Sequence, residues 1–112
     1  MKKKYILKSN REFNRIIETK KPVSDKYYVI YVDNDVNDSQ LFGFSVGKKI
    51  GNAVERNKLR RQLKSIVQSL TYKGNFKCVI ITKKQINSLS YNEKRKRLIY
   101  LLGKTGIIEY EE

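Results

Sequence analysis

Apolar residues recur along this chain with the period of a helix in some segments and as strand-like runs in others. These patterns divide the chain into predicted helices and strands. Ser9 and Glu12 have the S-x-x-E spacing of a capping box, and apolar residues follow at helical intervals from Phe13 onward. We therefore predict a first helix of about three turns. Pro22 closes the connection that follows it, because proline cannot continue a helix.

Three segments are rich in β-branched and aromatic residues, which is typical of strands. They span residues 27–32, 41–46 and 76–82. The polar segment 33–39 joins the first two strands, and we predict that it is the turn of a hairpin. Alternation within the first strand places Tyr31 on one face and Tyr28 and Ile30 on the other.

A second helix is predicted over about 53–70, with Asn52 as its N-cap. Its apolar residues recur with the helical period and form one stripe: Leu59, Leu63, Ile66, Val67 and Leu70. This stripe predicts that one side of the helix packs against the rest of the protein.

A second S-x-x-E spacing, between Ser90 and Glu93, predicts a last helix whose apolar face ends at Gly103. The element order is α-β-β(-β)-α-β-α, with one optional strand, which predicts a two-layer α-β sandwich on a small mixed sheet. No repeat or long linker divides the chain, so we expect a single domain for residues 1–112. We expect its ordered core at about 5–103 and a frayed acidic tail at 104–112.

The second predicted helix and the glycine-bounded loop before it are strongly basic. They contain one acid, Glu55, and seven cations. The cations are Lys48, Lys49, Arg56, Lys58, Arg60, Arg61 and Lys64. Arg56, Arg60 and Lys64 recur every four residues and share one side of the helix, with Asn57 and Arg61 beside them. Like charges at this spacing destabilise an isolated helix by roughly 0.2–0.5 kcal/mol per pair, which a polyanion would relieve. We interpret this row as a phosphate-binding face; the alternative is an ordinary solvated face.

The charge of the whole chain also indicates a polyanionic partner. Its 112 residues include 25 Lys and Arg against 11 Asp and Glu, for a formal net charge of +14. Nucleic acid and an anionic membrane are the candidates, but no apolar run approaches the ~18 residues that span a bilayer. We therefore expect an RNA- or DNA-binding protein in the cytoplasm, with no membrane partner.

The residues that most catalytic sites need are missing. The chain has no histidine, and its single cysteine, Cys78, lies in an apolar strand and reads as a small buried hydrophobe. Segment 33–44 begins with calcium-loop spacing but has Asp38 where glycine is needed and Phe44 where glutamate is needed. Taken alone, this pattern predicts a binding protein with no small-molecule substrate.

The segments 44–54 and 56–61 resemble the signature of the bacterial ribonuclease P protein family. That family typically has S-V-S-K-K, G-N-A-V and then R-N-R; this chain has FSVGKKIGNAV and then RNKLRR. The resemblance extends over roughly residues 5–102. Gly47 stands in place of the usual serine, Lys58 in place of the second arginine, and Ile17 where a second cleft aromatic is common.

The resemblance implies a protein subunit of a ribonucleoprotein that removes the 5′ leader of precursor tRNA by metal-dependent endonucleolytic hydrolysis. Its implied partners are ribonuclease P RNA, which is the catalytic RNA subunit, and precursor tRNA. Magnesium would be held mainly by the RNA and the substrate. The isolated chain would then be inactive, with no catalytic or metal-binding residue of its own.

The resemblance also implies site residues by position. The implied RNA-binding residues are Lys48, Lys49, Asn52, Arg56, Asn57, Lys58, Arg60, Arg61 and Lys64. The implied leader cleft, between the first helix and the sheet, contains Phe13 and Tyr31. For both aromatic residues, packing in the core is the alternative.

Three other functions would share some of these features. A structural RNA-binding protein, such as a ribosomal protein, would have the same size, charge and α/β class but not the long signature. A stand-alone nuclease would need histidine or paired acids. A helix-turn-helix DNA-binding protein would need a second short helix just before the basic one.

Overall fold

A computed structural model describes residues 1–109 of the chain as a mixed sheet with three helices. The elements in chain order are α1 (Asn10–Thr19), β1 (Val23–Ser24), β2 (Tyr28–Asp33), β3 (Gln40–Ser45), α2 (Ala53–Gln68), β4 (Phe76–Thr82) and α3 (Tyr91–Thr105). Short 3₁₀ turns lie at Lys3–Tyr5, Lys48–Ile50 and Lys84–Ser88. The predicted α/β class is confirmed. The predicted order allowed a third strand before the second helix; the structure has one, β1, but it precedes the two predicted strands instead of following them.

The strands lie in the order β1-β2-β4-β3. β4 is antiparallel to β2 and parallel to β3, so β2 and β3 do not pair. The predicted hairpin is therefore wrong. β4 contains a nearly continuous apolar run with both of its faces covered, and such a strand is most stable in the middle of a sheet. The polar segment after β2 crosses to the far side of β4 instead of turning back.

The two faces of the sheet pack against different helices. Tyr28 and Ile30 of β2 belong to the larger core cluster, which includes the apolar stripes of α2 and α3. Tyr31 faces the other way and packs with Ile16 of α1 in a smaller cluster. Cys78 is fully buried on the larger side, which confirms its prediction as a core residue.

Each of the three helices begins at a side-chain cap. Asn52 and Ser90 both form complete capping boxes, with a glutamate carboxylate accepting the N–H of the capping residue in return. At α1 only half of the box forms: the Ser9 hydroxyl accepts the N–H of Glu12, whose carboxylate bonds elsewhere.

The end of the described chain is packed against the core. α3 runs through the predicted end to Thr105, and Gly106 follows with φ 80°, a left-handed conformation that glycine tolerates. Ile107 and Ile108 are buried, and the Glu109 N–H donates to the carbonyl of Thr71. The expectation of a frayed tail is therefore wrong for 104–109, because two isoleucines complete the core. The remainder of that predicted tail, 110–112, lies outside the described residues.

Candidate nucleic-acid interface

Two pairs of lysines meet at one edge of the sheet because β3 and β4 are parallel. β3 leads into the lysine loop, residues 47–51, which contains Lys48 and Lys49. β4 leads directly to Lys83 and Lys84. All four lysines line one continuous depression with Ser45 and Ile81. The sequence analysis missed Lys83 and Lys84, because it predicted a hairpin and not the parallel pairing of β3 with β4 that brings these strand ends together.

The lysine loop is fixed to the core by its backbone and by one apolar side chain. Ile50 is buried, and its carbonyl accepts a 2.8 Å hydrogen bond from the side-chain amide of Asn87. The Ile50 N–H donates to the carbonyl of Gly47 at 3.1 Å. Lys48 and Lys49 are exposed. The loop therefore holds its two ammonium groups toward solvent on a rigid support.

α2 presents its other cations in several directions. Leu59, Leu63, Ile66 and Val67 are buried, and Arg56, Arg60 and Lys64 lie along one flank of that stripe. Asn57 and Arg61 point further outward. The predicted row therefore exists. Asn52 is also at the surface, where its side-chain oxygen accepts the Glu55 N–H at 2.9 Å and begins the helix.

Lys58 is separated from this row because it lies on the opposite flank, toward α3. Its positive charge acts on Lys94 of α3, whose pKa is lowered first by burial and then by Lys58. The motif cations thus do not form one surface, although they are close in sequence.

None of the seven motif cations has an acidic partner within residues 1–109. The ion pairs among those residues involve other cations: Arg15, Lys20, Lys77 and Arg97. Glu55, the one acid on this part of α2, is hydrogen-bonded to the N–H of Asn52. The interface therefore keeps its positive charge available for an anion.

A cleft between α1 and β3 lies beside the lysine loop. It is lined by Leu7, Asn10, Phe13, Asn14, Phe44, Ser45, Val46 and Arg60. Phe13 is half-buried, and its ring lies against the backbone of Gly43. Arg60 reaches the cleft from α2, donating to the side-chain oxygen of Asn57 at 2.9 Å and weakly to the carbonyl of Val46 at 3.5 Å. Ser45 lines both the cleft and the lysine-lined depression, so the two adjoin at this residue.

Tyr31 lies on the same face of the sheet but not beside Arg60. It is half-buried in the smaller core cluster, and its backbone pairs with Val79, which pairs in turn with Gly43. Neighbouring strands are ~5 Å apart, so Tyr31 is two strand widths, about 10 Å, from the backbone under Phe13. Phe13 and Tyr31 therefore belong to one apolar face but occupy different parts of it.

An ion-pair network fixes α1 above this face. Asp33, at the end of β2 and 2% exposed, accepts a 2.7 Å hydrogen bond from Arg15 and lies 3.6 Å from the ammonium of Lys20. Glu12 pairs with Arg15 at 2.7 Å and with Lys77 of β4 at 2.6 Å. Hydrogen bonds from Arg15 and then Lys77 lower the pKa of Glu12 to about 2. Because Phe13 follows Glu12 directly, this network also positions the aromatic wall of the cleft.

The residues around the cleft do not fit a magnesium ion. Magnesium prefers carboxylate and other oxygen ligands, whereas the cleft and the depression are lined by cations, amides and apolar groups. No group of three or more potential ligands among His, Cys, Asp and Glu is close enough to hold a metal within residues 1–109. We therefore assign no catalytic step to a metal held by this chain.

No helix in the described part of the chain is long and apolar enough to cross a membrane.

Comparison with known families gives a match over residues 1–106 to the family described as Ribonuclease P. The ribonuclease P protein component of Streptococcus pyogenes is 36% identical over 110 residues, covering 97% of this chain and 92% of that protein.

Solved structures give the same result for the fold. The ribonuclease P protein of Staphylococcus aureus superposes with a TM-score of 0.83 at 25% identity, covering 94% of this chain and 98% of that one. The ribonuclease P protein from Thermotoga maritima has a TM-score of 0.80 at 26% identity, covering 88% and 94%. The α1–β3 cleft and the basic loop and helix therefore belong to a fold seen in these proteins.

Proposed function

This chain belongs to the ribonuclease P protein family, and on that basis we propose that it binds the catalytic RNA subunit and the 5′ leader of precursor tRNA. In this proposal it promotes metal-dependent endonucleolytic removal of the leader, which is the 5′ maturation of tRNA, in the cytoplasm. The protein positions RNA, while the RNA subunit performs the catalysis and holds magnesium together with the substrate.

The main support is that an apolar, aromatic cleft adjoins a surface whose cations have no acidic partner within residues 1–109. Arg60 lines the cleft with Phe13, and the depression that contains Lys48 and Lys49 begins at Ser45 of the same cleft. Single-stranded nucleic acid presents both phosphates and the flat faces of its bases. A groove with aromatic and cationic walls matches that combination.

We assign the leader to the cleft and the phosphates near it to Arg60 and the lysine loop. Phe13 offers a ring that α1 holds above the sheet, and Tyr31 extends the apolar floor further along the same face. Asn10 and Asn14 of α1 supply amide groups along the rim. The nearby cations Arg61, which is exposed, and Lys64, which is half-buried, are left to contact the RNA subunit.

The isolated protein should not cleave RNA. General acid–base hydrolysis needs a group that can exchange a proton near neutral pH, and the chain has no histidine. Glu12 of α1 and Asp33 of β2 are held in ion pairs, which lower their pKa values. The role left to this chain is to bind and orient RNA.

The test is cleavage of precursor tRNA by the RNA subunit alone, by the protein alone, and by both together at low magnesium. We expect the protein to stimulate the RNA subunit and to be inactive alone. Cleavage by the protein after removal of contaminating RNA would contradict the proposal, as would a lack of any stimulation.

A further inference from the structure

A second basic surface lies on the side of α2 that faces α3, away from the cleft. We call it the α2–α3 surface and define it by Lys58 and Gln62 of α2 together with Lys94 and Arg95 of α3. Gln62, Lys94 and Arg95 lie outside the signature segments 44–54 and 56–61. The leader path proposed above does not use them.

Lys94 is held in place with an unneutralised charge. Its ammonium donates to the side-chain oxygen of Gln62 at 3.1 Å, and its backbone carbonyl accepts the hydroxyl of the buried Tyr28 at 2.9 Å. Burial lowers the pKa of Lys94, and the neighbouring charge of Lys58 lowers it further. Two lysines side by side are unfavourable in the free protein and would be stabilised by an anion between them.

No acid within residues 1–109 pairs with these cations. Glu55 and Glu93, the nearest acids along the two helices, are both hydrogen-bonded in capping boxes. Arg97, two residues beyond Arg95 on α3, differs from these cations because it forms an ion pair with Asp25 at 2.9 Å. The difference shows that α3 neutralises one of its cations and leaves those beside α2 free.

The rest of this surface consists of hydrogen-bonding groups that join the two helices. Arg95 donates to the hydroxyl of Ser69 at 2.9 Å, and the Tyr91 hydroxyl lies 3.4 Å from that of Ser65. Together with the bond from Lys94 to Gln62, these bonds hold the guanidinium of Arg95 and the ammonium of Lys94 beside α2. A phosphate has only acceptor oxygens, so a surface made of ammonium, guanidinium, amide and hydroxyl donors suits it.

We propose that the α2–α3 surface binds the sugar–phosphate backbone of a segment of the RNA subunit while the cleft holds the leader. This inference rests on the proposed function and extends it to residues on α3. The two sites lie on opposite flanks of α2, whose diameter with side chains is about 10–12 Å. One single strand in the cleft would have to pass around the helix to reach Lys94, so a separate RNA segment is the simpler occupant.

The test uses the full chain with Lys94→Gln and measures its binding to the RNA subunit alone across a range of monovalent salt. One phosphate contact on a duplex contributes about −0.9 to the slope of log K against log salt. Relative to 1 M salt, that slope corresponds to an affinity gain of about eight-fold at 0.1 M. We expect Lys94→Gln to weaken binding by about that factor and to reduce the slope by about 0.9. The preference of the holoenzyme for precursor over mature tRNA should not change.

Lys96→Gln is the matched control. Lys96 is on the same helix and exposed, and it lies near Glu93 rather than α2. The substitution Lys96→Gln should leave both the affinity for the RNA subunit and the salt slope nearly unchanged. Equal effects of Lys94→Gln and Lys96→Gln, or no effect of either, would overturn the inference.

Melting temperatures of both variants separate a binding effect from a folding effect. If Lys94→Gln does not fold, Arg95→Gln decides the question, because Arg95 lies on the same surface and outside the signature segments. A wild-type chain that does not bind the RNA subunit at all would contradict the proposed function itself. A wild-type chain that binds, with variants that bind equally well, would contradict only the α2–α3 surface.

Discussion

The ring of Phe13 lies directly against the backbone of Gly43, so closely that a β-carbon at Gly43 would be 3.1 Å from two ring carbons. The same added carbon would be 3.4 Å from the side chain of Leu7. Glycine at this position of β3 therefore lets α1 approach the sheet and sets the height of the aromatic wall above the cleft floor.

Gly43→Ala should displace Phe13 and weaken leader binding. Filling the contact should cost roughly 1 kcal/mol or more of folding stability, as other overpacking changes do. Urea denaturation and affinity for precursor and mature tRNA would measure both effects, and only precursor binding should fall. Gly47→Ala is the control for folding stability, since its added carbon has no neighbour within 4 Å and its φ of −77° suits alanine. If the two variants are equally stable, or if Gly43→Ala weakens precursor and mature tRNA alike, Gly43 does not set the position of Phe13.

The helices and strands follow from local patterns in the sequence, but their arrangement does not. The capping residues Asn52 and Ser90 mark the starts of α2 and α3, because a cap acts within one turn of its helix. The insertion of β4 between β2 and β3 depends on which strand buries both faces. That choice is made by packing across the whole sheet, and the short polar segment after β2 gave no indication of it.

Only part of the candidate site could be predicted from the sequence, again because local patterns do not show how the helices and strands pack together. Helical period alone placed Arg56, Arg60 and Lys64 on one flank of α2. It could not show that Lys58 faces Lys94, because that pairing depends on how α3 docks. Similarly, Glu12 has capping-box spacing, yet it binds Arg15 and Lys77 instead, since two cations outcompete one N–H group for its carboxylate.

Asp33→Asn should loosen α1. The change removes the charge that Arg15 and Lys20 share and leaves their donors with a weaker acceptor. We expect a loss of about 1–3 kcal/mol in unfolding free energy, the usual range for a hydrogen bond to a charged group. Precursor-tRNA affinity should fall with it, because the same helix carries Phe13. Asp35→Asn is the control, since the Asp35 side chain makes no ion pair among the described residues and only its N–H bonds to Asp33. Equal stability of the two variants would show that the network does not hold α1.

Acid should destabilise the fold through the same network. Burial alone would raise the pKa of Asp33, but hydrogen bonds from Arg15 and the Asp35 N–H, with the charge of Lys20, hold it below its ordinary value. Hydrogen bonds from Arg15 and Lys77 lower the pKa of Glu12 to about 2. A lowered pKa in the folded state means that the unfolded chain takes up protons first, so stability is complete above about pH 5 and falls toward pH 2. Denaturation curves between pH 7 and pH 2 would show this decline, which should be shallower in Asp33→Asn. A wild-type stability that does not change down to pH 3 would contradict the assignment.

Arg60→Ala should weaken RNA binding in a salt-dependent manner. If Arg60 contacts one phosphate, its removal should reduce the slope of log K against log salt by about one. Lys104→Ala, an equal loss of charge near the end of α3, should leave the slope unchanged. Titrations of the RNA subunit with each variant at several salt concentrations would measure both slopes. An unchanged slope and affinity for Arg60→Ala would place this residue away from the RNA.

Tyr31→Ala distinguishes a base platform from a core residue. Tyr31 is half-buried on the α1 side of the sheet, whereas its neighbour Tyr28 is fully buried on the other side. If a leader base stacks on Tyr31, the substitution should weaken precursor-tRNA binding by ~1–3 kcal/mol and leave mature tRNA unaffected. Tyr28→Ala should instead lower the unfolding free energy by ~3 kcal/mol or more, as other large-to-alanine core changes do, and harm both substrates alike. Melting temperatures measured beside both affinities separate the two cases. A stable Tyr31→Ala protein with equal, small losses for precursor and mature tRNA would exclude Tyr31 from the leader site.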